Sequence, residues 1–268
     1  MNIHFYKYQG TGNDFILIDD RDAKFPDSRE VVAGLCERRF GIGADGLILL
    51  QKSDDSAFFM KYYNSDGNES SMCGNGGRCI AAFANHLHIT GNETNFIAMD
   101  GMHDAIISGE GNELFVKLKM QDIIKVEQRD EHTFVVNTGS PHFVKFIHED
   151  IETLELVEEA RKTRYNNEFK DEGINVNFVN LGGIKSIKMR TYERGVEDET
   201  LSCGTGVTAA ALCTAILNGL PEGVHTVHVK TKGGELSVKF NYNALLHLFS
   251  DVWLQGPAKI VFEGDMEI

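Results

Sequence analysis

Two cysteines stand in matched settings: Cys73-Gly74-Asn75-Gly76-Gly77-Arg78 and, in the second half of the chain, Cys203-Gly204-Thr205-Gly206-Val207-Thr208. Each follows a strand-like segment. Each also precedes an apolar, alanine-containing run, Cys79-Ile80-Ala81-Ala82-Phe83-Ala84 or Ala209-Ala210-Ala211-Leu212-Cys213, that predicts a helix. A thiol at a helix start meets backbone N–H groups that the helix does not pair, so its thiolate fraction rises and the same N–H groups can receive a carboxylate. The neighbouring glycines let those amides come close to a ligand. Two such sites facing one carboxylate would set a thiol on either face of its α-carbon, as a stereoinverting acid/base reaction requires. The upstream segments Tyr63-Asn64-Ser65-Asp66-Gly67 and Tyr192-Glu193-Arg194-Gly195 occupy equivalent places before the two cysteines and bring polar side chains to the same region. Cys36, Cys79 and Cys213 lack this setting and are expected to be inert buried thiols.

Positioning these groups requires a particular set of elements. A helix that is apolar all round is buried, so each run after a cysteine is expected to pass through the middle of its own sheet or barrel. Most of the remaining chain alternates in polarity, as in Val116-Lys117-Leu118-Lys119-Met120 and Ile187-Lys188-Met189-Arg190, the mark of half-buried antiparallel strands. Two further helices are predicted. One is capped by Asp27-Ser28 and puts Val31, Val32, Leu35 and Cys36 on one face; the other covers Asp150 to Arg161, with acids early and bases late. The expected architecture is α+β, two similar halves with one central helix each, an active site in the cleft between them, and a boundary near residue 115. Gly41-Ile42-Gly43-Ala44-Asp45-Gly46 spells a dinucleotide fingerprint, but it follows a helix and precedes a strand, the reverse of a Rossmann turn. A structural turn is expected there.

A net charge of −14 argues against nucleic acid or an anionic membrane as partner, and a small molecule fits better. With 42% hydrophobic residues and four prolines among 268 residues, the chain can bury a core throughout. No apolar segment approaches the ~20 residues of a membrane span, and no signal-peptide pattern opens the chain, so a cytoplasmic location is expected. Five cysteines without Cys-x-x-Cys or His-pair spacing suggest reduced thiols and no metal.

Several strings, taken together, closely resemble the diaminopimelate epimerase family: Gly10-Thr11-Gly12-Asn13-Asp14-Phe15, Arg39-Phe40-Gly41-Ile42-Gly43-Ala44-Asp45-Gly46, Asn64-Ser65-Asp66-Gly67, Cys73-Gly74-Asn75-Gly76-Gly77-Arg78-Cys79, Gly139-Ser140-Pro141-His142, Asn175-Val176-Asn177-Phe178, and Glu193-Arg194-Gly195 with Cys203-Gly204-Thr205-Gly206. They follow the family's order over nearly the whole chain. The resemblance implies two pseudo-symmetric domains, each a mainly antiparallel β-barrel around a central helix: residues 1–115, with 257–268 returning to them, and residues 116–256. It implies Cys73 and Cys203 as the acid/base pair, with His142 and Glu193 as catalytic assistants. Gly74, Asn75, Gly204 and Thr205 would line the reacting carboxylate. Asn13, Asn64, Asn175, Glu193 and Arg194 would hold the rest of the substrate, diaminopimelate. No metal, no pyridoxal phosphate or other cofactor, and a homodimer are also implied. Ser140 departs from the family's usual asparagine, and Val196-Glu197-Asp198-Glu199-Thr200 is one residue longer than usual. A racemase of proline, hydroxyproline or histidine is the nearest rival. Arg194 disfavours it, because such substrates offer no second carboxylate to pair with. A non-catalytic thiol-switch or binding protein is the rival from another class.

Overall fold

The computed structural model describes residues 1–70 and 72–268. The chain divides into two compact units, Met1–Leu118 with Gly256–Ile268, and Lys119–Gln255. The first unit runs β1 (Asn2–Gly10), β2 (Asn13–Asp19), α1 (Arg29–Cys36), β3 (Gly46–Gln51), β4 (Phe59–Asn64), β5 (Glu69–Ser70), α2 (Gly74–His86), β6 (Glu93–Ala98), β7 (Gly101–Ser108) and β8 (Glu113–Lys119). The second runs β9 (Val126–Gln128), β10 (Thr133–Asn137), β11 (Pro141–Phe146), α3 (Leu156–Arg164), β12 (Asn175–Gly183), β13 (Ser186–Glu193), β14 (Asp198–Thr200), α4 (Gly204–Leu217), β15 (Gly223–Thr231) and β16 (Gly234–Asn243). The long final strand β17 (Leu248–Glu267) gives its first part to the second unit and its last part to the first.

In the first unit β1 pairs antiparallel with β2, β2 parallel with β3, β3 antiparallel with β4, and β4 parallel with β6. The antiparallel run β6, β7, β8 and the end of β17 then returns to β1, closing a barrel. The second unit repeats the pattern step for step. Here β10–β11 is antiparallel, β11–β12 parallel, β12–β13 antiparallel, β13–β15 parallel, and β15–β16–β17 antiparallel. Closure comes from one short segment, which bridges Phe249 through Ile123 and pairs with β10 through β9.

Each parallel step needs a crossover connection, and the four helices supply these. α1 and α3 cross outside. α1 sets Val32, Leu35 and Cys36 against Ile16, Leu47 and Leu49, and α3 sets Leu156 and Ala160 against Ile174, Val176, Phe178 and Tyr192. α2 and α4 join the other parallel pairs and are buried almost end to end, from Gly74 to Ala84 and from Gly204 to Ala215 with only Thr205 partly exposed. Alanine-rich stretches suit that position because a barrel wall leaves little room beyond a methyl group.

Two sequence expectations meet the structure differently. The helix expected over Asp150 to Arg161 is instead a 3₁₀ turn at Ile151–Thr153, capped by Asp150, followed by α3. Leu154 (ψ 128°) and Glu155 (ψ 73°) leave helical geometry, and Asn180 accepts the Ile151 N–H, so the early turn is tied to β12 rather than to α3. The glycine-rich Gly41–Gly46 stretch is a structural turn: Gly43 has φ +80°, and a Cβ on Gly41 would lie 2.1 Å from the Gly34 carbonyl.

Candidate active site

Cys73 is the N-cap of α2 (φ −100°, ψ 131°) and Cys203 the N-cap of α4 (φ −114°, ψ 112°), so the sequence repeat becomes a repeat of backbone geometry. The first ladder bonds run from the Gly77 N–H to the Cys73 carbonyl (2.7 Å) and from the Val207 N–H to the Cys203 carbonyl (2.8 Å). Amides before these, Gly74 and Gly76 in one unit and Gly204 and Gly206 in the other, lie outside the helix ladder and carry the positive end of the helix dipole.

In the first unit the Cys73 thiol points at Asn13 Oδ1 (3.6 Å), which also accepts from Asn75 Nδ2 (3.3 Å). The orientation of the Asn13 amide is fixed by its other end, where Nδ2 donates to Asp45 Oδ2 (2.7 Å). Arg38 bridges Asp45 and Asp14 at 2.7 Å each, and Lys7 joins Asp14 at 2.8 Å. Burial opposes ionisation of Asp14, yet hydrogen bonds from Arg38 and Lys7, and their charges, bring its carboxyl down to about 2. Asn13 therefore rests on a charged cluster built from β1, β2 and the turn at Asp45. Behind Cys73, one turn into α2, the Arg78 guanidinium is 0% exposed. It donates to Asn75 Oδ1 (3.0 Å), Thr11 Oγ1 (3.3 Å), and the carbonyls of Gly74 (3.3 Å) and Pro257 (3.4 Å). Asn64 ends β4 opposite Gly46, its side chain exposed.

In the second unit Cys203 Sγ lies 3.5 Å from Thr205 Oγ1, which lies 2.9 Å from His142 Nε2. His142 Nδ1 is 3.1 Å from Asn177 Nδ2, and that amide also donates to the Phe143 carbonyl (3.0 Å) and accepts from Thr191 Oγ1 (2.9 Å). Burial, and secondarily the charge of Arg194, push the His142 imidazole down to about 3, so at neutral pH the ring is uncharged. Asn175 is a clamp. Its Nδ2 donates to Ser140 Oγ (2.9 Å) and the Pro141 carbonyl (3.2 Å), and its Oδ1 accepts the Arg194 N–H (2.8 Å). The exposed Arg194 side chain donates to the Glu172 carbonyl (2.8 Å), and Glu193 accepts from Thr200 Oγ1 (3.0 Å).

Within each unit the structure gathers residues expected from the sequence: Asn13, Cys73 and Asn75 in the first, and His142, Cys203 and Thr205 in the second. Asn177 and Arg78 complete the two networks and were not singled out. Asn177 could have been found from its two-residue spacing to Asn175, which puts both amides on one face of a strand. The other three thiols differ. Burial pushes Cys36 and Cys79 up to about 12 and raises Cys213 as well, which keeps all three protonated. Among the described residues no group of three or more His, Cys, Asp or Glu side chains could hold a metal, and no helix is long and apolar enough to cross a membrane.

Among solved structures, a phenazine biosynthesis protein of the PhzF family from Bacillus anthracis shares the fold over the full length of both chains (TM-score 0.73, 13% identity). A probable proline racemase from Agrobacterium radiobacter does so over 99% of this chain and 92% of its own (TM-score 0.66, 14% identity). Sequence relationships are much nearer. The diaminopimelate epimerase of Flavobacterium psychrophilum is 48% identical over 259 residues, covering 96% of this chain and 98% of that protein. The diaminopimelate epimerase of Aquifex aeolicus is 38% identical over 278 residues, covering 98% and 97%. The sequence profile described as diaminopimelate epimerase matches residues 5–126 and 134–250. With both barrels spanned by the profile and relatives aligned nearly end to end, the chain belongs to the diaminopimelate epimerase family.

Proposed function

We propose that the chain interconverts LL- and meso-2,6-diaminoheptanedioate by a two-base proton transfer between Cys73 and Cys203, using no pyridoxal phosphate or other cofactor. The observation that carries this reading is the duplicated thiol at the N-cap of a buried helix. An amino-acid α-proton is very weakly acidic, so charge developing on the carboxylate oxygens must be stabilised as the proton leaves. The first-turn amides of α2 and α4, beside Gly74, Asn75, Gly204 and Thr205, supply fixed donors for that charge. One cysteine, as thiolate, takes the α-proton and becomes a thiol. The other, as thiol, delivers its proton to the opposite face and becomes a thiolate. Roles exchange for the reverse reaction. His142 acts through Thr205, since it is neutral and fully buried beside that hydroxyl. Asn13, Asn64, Glu193 and Arg194 hold the substrate's remaining groups, with Arg194 taking the distal carboxylate in a charge-assisted contact. Asn175 acts by placing the Arg194 backbone.

The product serves lysine synthesis and, on this reading, peptidoglycan precursor synthesis, in a cytoplasmic homodimer. Purified protein freed of cofactors, given LL-diaminopimelate in deuterium oxide, should form the meso isomer with one solvent deuteron at the inverted carbon. Turnover that requires added pyridoxal phosphate, or that favours proline over diaminopimelate, would refute the proposal.

A further inference from the structure

Four hydrogen bonds that lead to Thr205 have directions fixed by the chemistry of their partners. The Phe143 carbonyl can only accept, so the Asn177 atom 3.0 Å from it is the amide nitrogen. Thr191 Oγ1 donates to the other end of that amide at 2.9 Å. The second proton of Asn177 Nδ2 then points at His142 Nδ1 (3.1 Å), which must accept it. A neutral imidazole whose Nδ1 accepts carries its proton on Nε2, and that N–H donates to Thr205 Oγ1 at 2.9 Å. Having accepted from His142, the Thr205 hydroxyl has its single proton available for Cys203 Sγ, 3.5 Å away. A sulfur that accepts a hydrogen bond is favoured as thiolate.

Space for this relay is built into the helix start. A Cβ on Gly206 would lie 2.6 Å from Asn177 Oδ1, 3.3 Å from His142 Cε1 and 3.4 Å from Cys203 Cβ. The other thiol is oriented the opposite way, since Cys73 donates to Asn13 Oδ1.

We propose that Asn177 is a positioning residue which, through the Nε2–H tautomer of His142 and the Thr205 hydroxyl, directs a hydrogen bond onto Cys203 and makes it the thiolate of the resting enzyme. The inference rests on the two-base reading and assigns its protonation states. Of the charged or titratable groups near the start of α4, His142 on β11 meets Thr205 directly and the Arg194 charge, just past β13, acts on His142, while Glu193 at the end of β13 accepts from Thr200. His225 on β15 is tied to the Pro221 carbonyl beyond the other end of the helix. No acidic residue lies in the first turn of α4. The Arg194 charge supports the relay by disfavouring the imidazolium form of His142.

The test uses the full chain carrying Cys73→Ala, with Cys203 followed by thiolate absorbance and iodoacetamide alkylation across pH. Thr205→Val should raise the Cys203 midpoint by about one unit and slow alkylation at neutral pH about tenfold, and Thr205→Ser should restore both. Asn177→Ala should act like Thr205→Val. In the wild-type protein, nitrogen-15 shifts of His142 should show a protonated Nε2 and a bare Nδ1. An unchanged midpoint in Thr205→Val, or a His142 ring protonated at Nδ1, would overturn the proposal. Neither readout involves diaminopimelate. Loss of the two-base reading would appear separately, as full turnover in Cys73→Ala or Cys203→Ala.

Discussion

Gly76 and Gly206 are the same position in the two copies of the motif, yet replacing each by alanine should have unequal consequences. At Gly206 the new methyl would sit 2.6 Å from Asn177 Oδ1. That amide cannot swing aside cheaply, because it is held by the Phe143 carbonyl, His142 Nδ1 and Thr191 Oγ1. Displacing it breaks three buried hydrogen bonds, at about 1 kcal/mol net each, or about 3 kcal/mol in all. The better helix propensity of alanine returns about 1 kcal/mol, leaving a loss of about 2 kcal/mol. At Gly76 the methyl would meet Ile48 Cδ1 at 3.1 Å, Met60 Cε at 3.3 Å and Phe15 Cε1 at 3.6 Å. The first two are ends of flexible side chains that can yield by a few tenths of an ångström, so propensity and added apolar contact should keep Gly76→Ala within about 1 kcal/mol of the parent. Urea unfolding of both variants, with unchanged denaturant slopes, measures the difference, and an epimerisation assay follows the site. Gly206→Ala should also lose at least about tenfold in kcat because its relay is displaced. A Gly206→Ala protein as stable and active as Gly76→Ala would refute the packing argument.

Cys73→Ala and Cys203→Ala should each lower kcat by roughly 10²- to 10⁴-fold, while Cys36→Ala, Cys79→Ala and Cys213→Ala keep the parent's kcat in folded protein; steady-state assays of all five decide this. Arg194→Met should reduce kcat/KM for diaminopimelate by about 2 to 5 kcal/mol, and an equal loss for a mono-carboxylate analogue would show that Arg194 does not read the distal end. His142 has its pKa depressed on folding, from 6.5 to about 3, so the unfolded chain takes up the proton first. Its contribution to stability is complete above about pH 6.5 and falls as pH drops towards 3, by up to about 1.4 kcal/mol per unit. An imidazole resonance of His142 titrating near pH 6 in folded protein would contradict this.

The two buried helices and their N-cap thiols were legible because their signal is local: a cysteine, glycines, then an apolar run that no other segment of the chain repeats. The barrels were less legible. Strand β1, with Lys7, and strand β7, with His103, carry polar side chains at wall positions where a neighbour completes them. Lys7 is buried only because Asp14 pairs with it and the Gly43 carbonyl accepts from it. Such compensation is tertiary and leaves no periodic trace. For Asn177 the two-residue spacing to Asn175 shows a shared strand face but not its role, because its three partners come from two different strands. Its sequence neighbourhood, Asn175-Val176-Asn177, fits a solvent-facing strand edge as well as a sealed hydrogen-bond hub.

The repeat supplies two equivalent thiols, but a two-base reaction needs them unequal, since at any moment one must hold a proton and the other must not. The inequality arises in the residues where the copies differ. Five positions after each thiol, Arg78 stands in one helix and Thr208 in the other. The Thr208 hydroxyl folds back on the Gly204 carbonyl (3.1 Å) and stays within its own helix. Arg78 instead orients Asn75 through Oδ1, so that Asn75 Nδ2 faces Asn13 Oδ1, the atom to which Cys73 donates. Where the first copy has Asn75, the second has Thr205, a side chain that can accept from His142 and still donate to sulfur. One scaffold therefore presents an amide oxygen to the first sulfur and a hydroxyl group to the second. On the two-base reading, that difference selects which cysteine begins each cycle as the base.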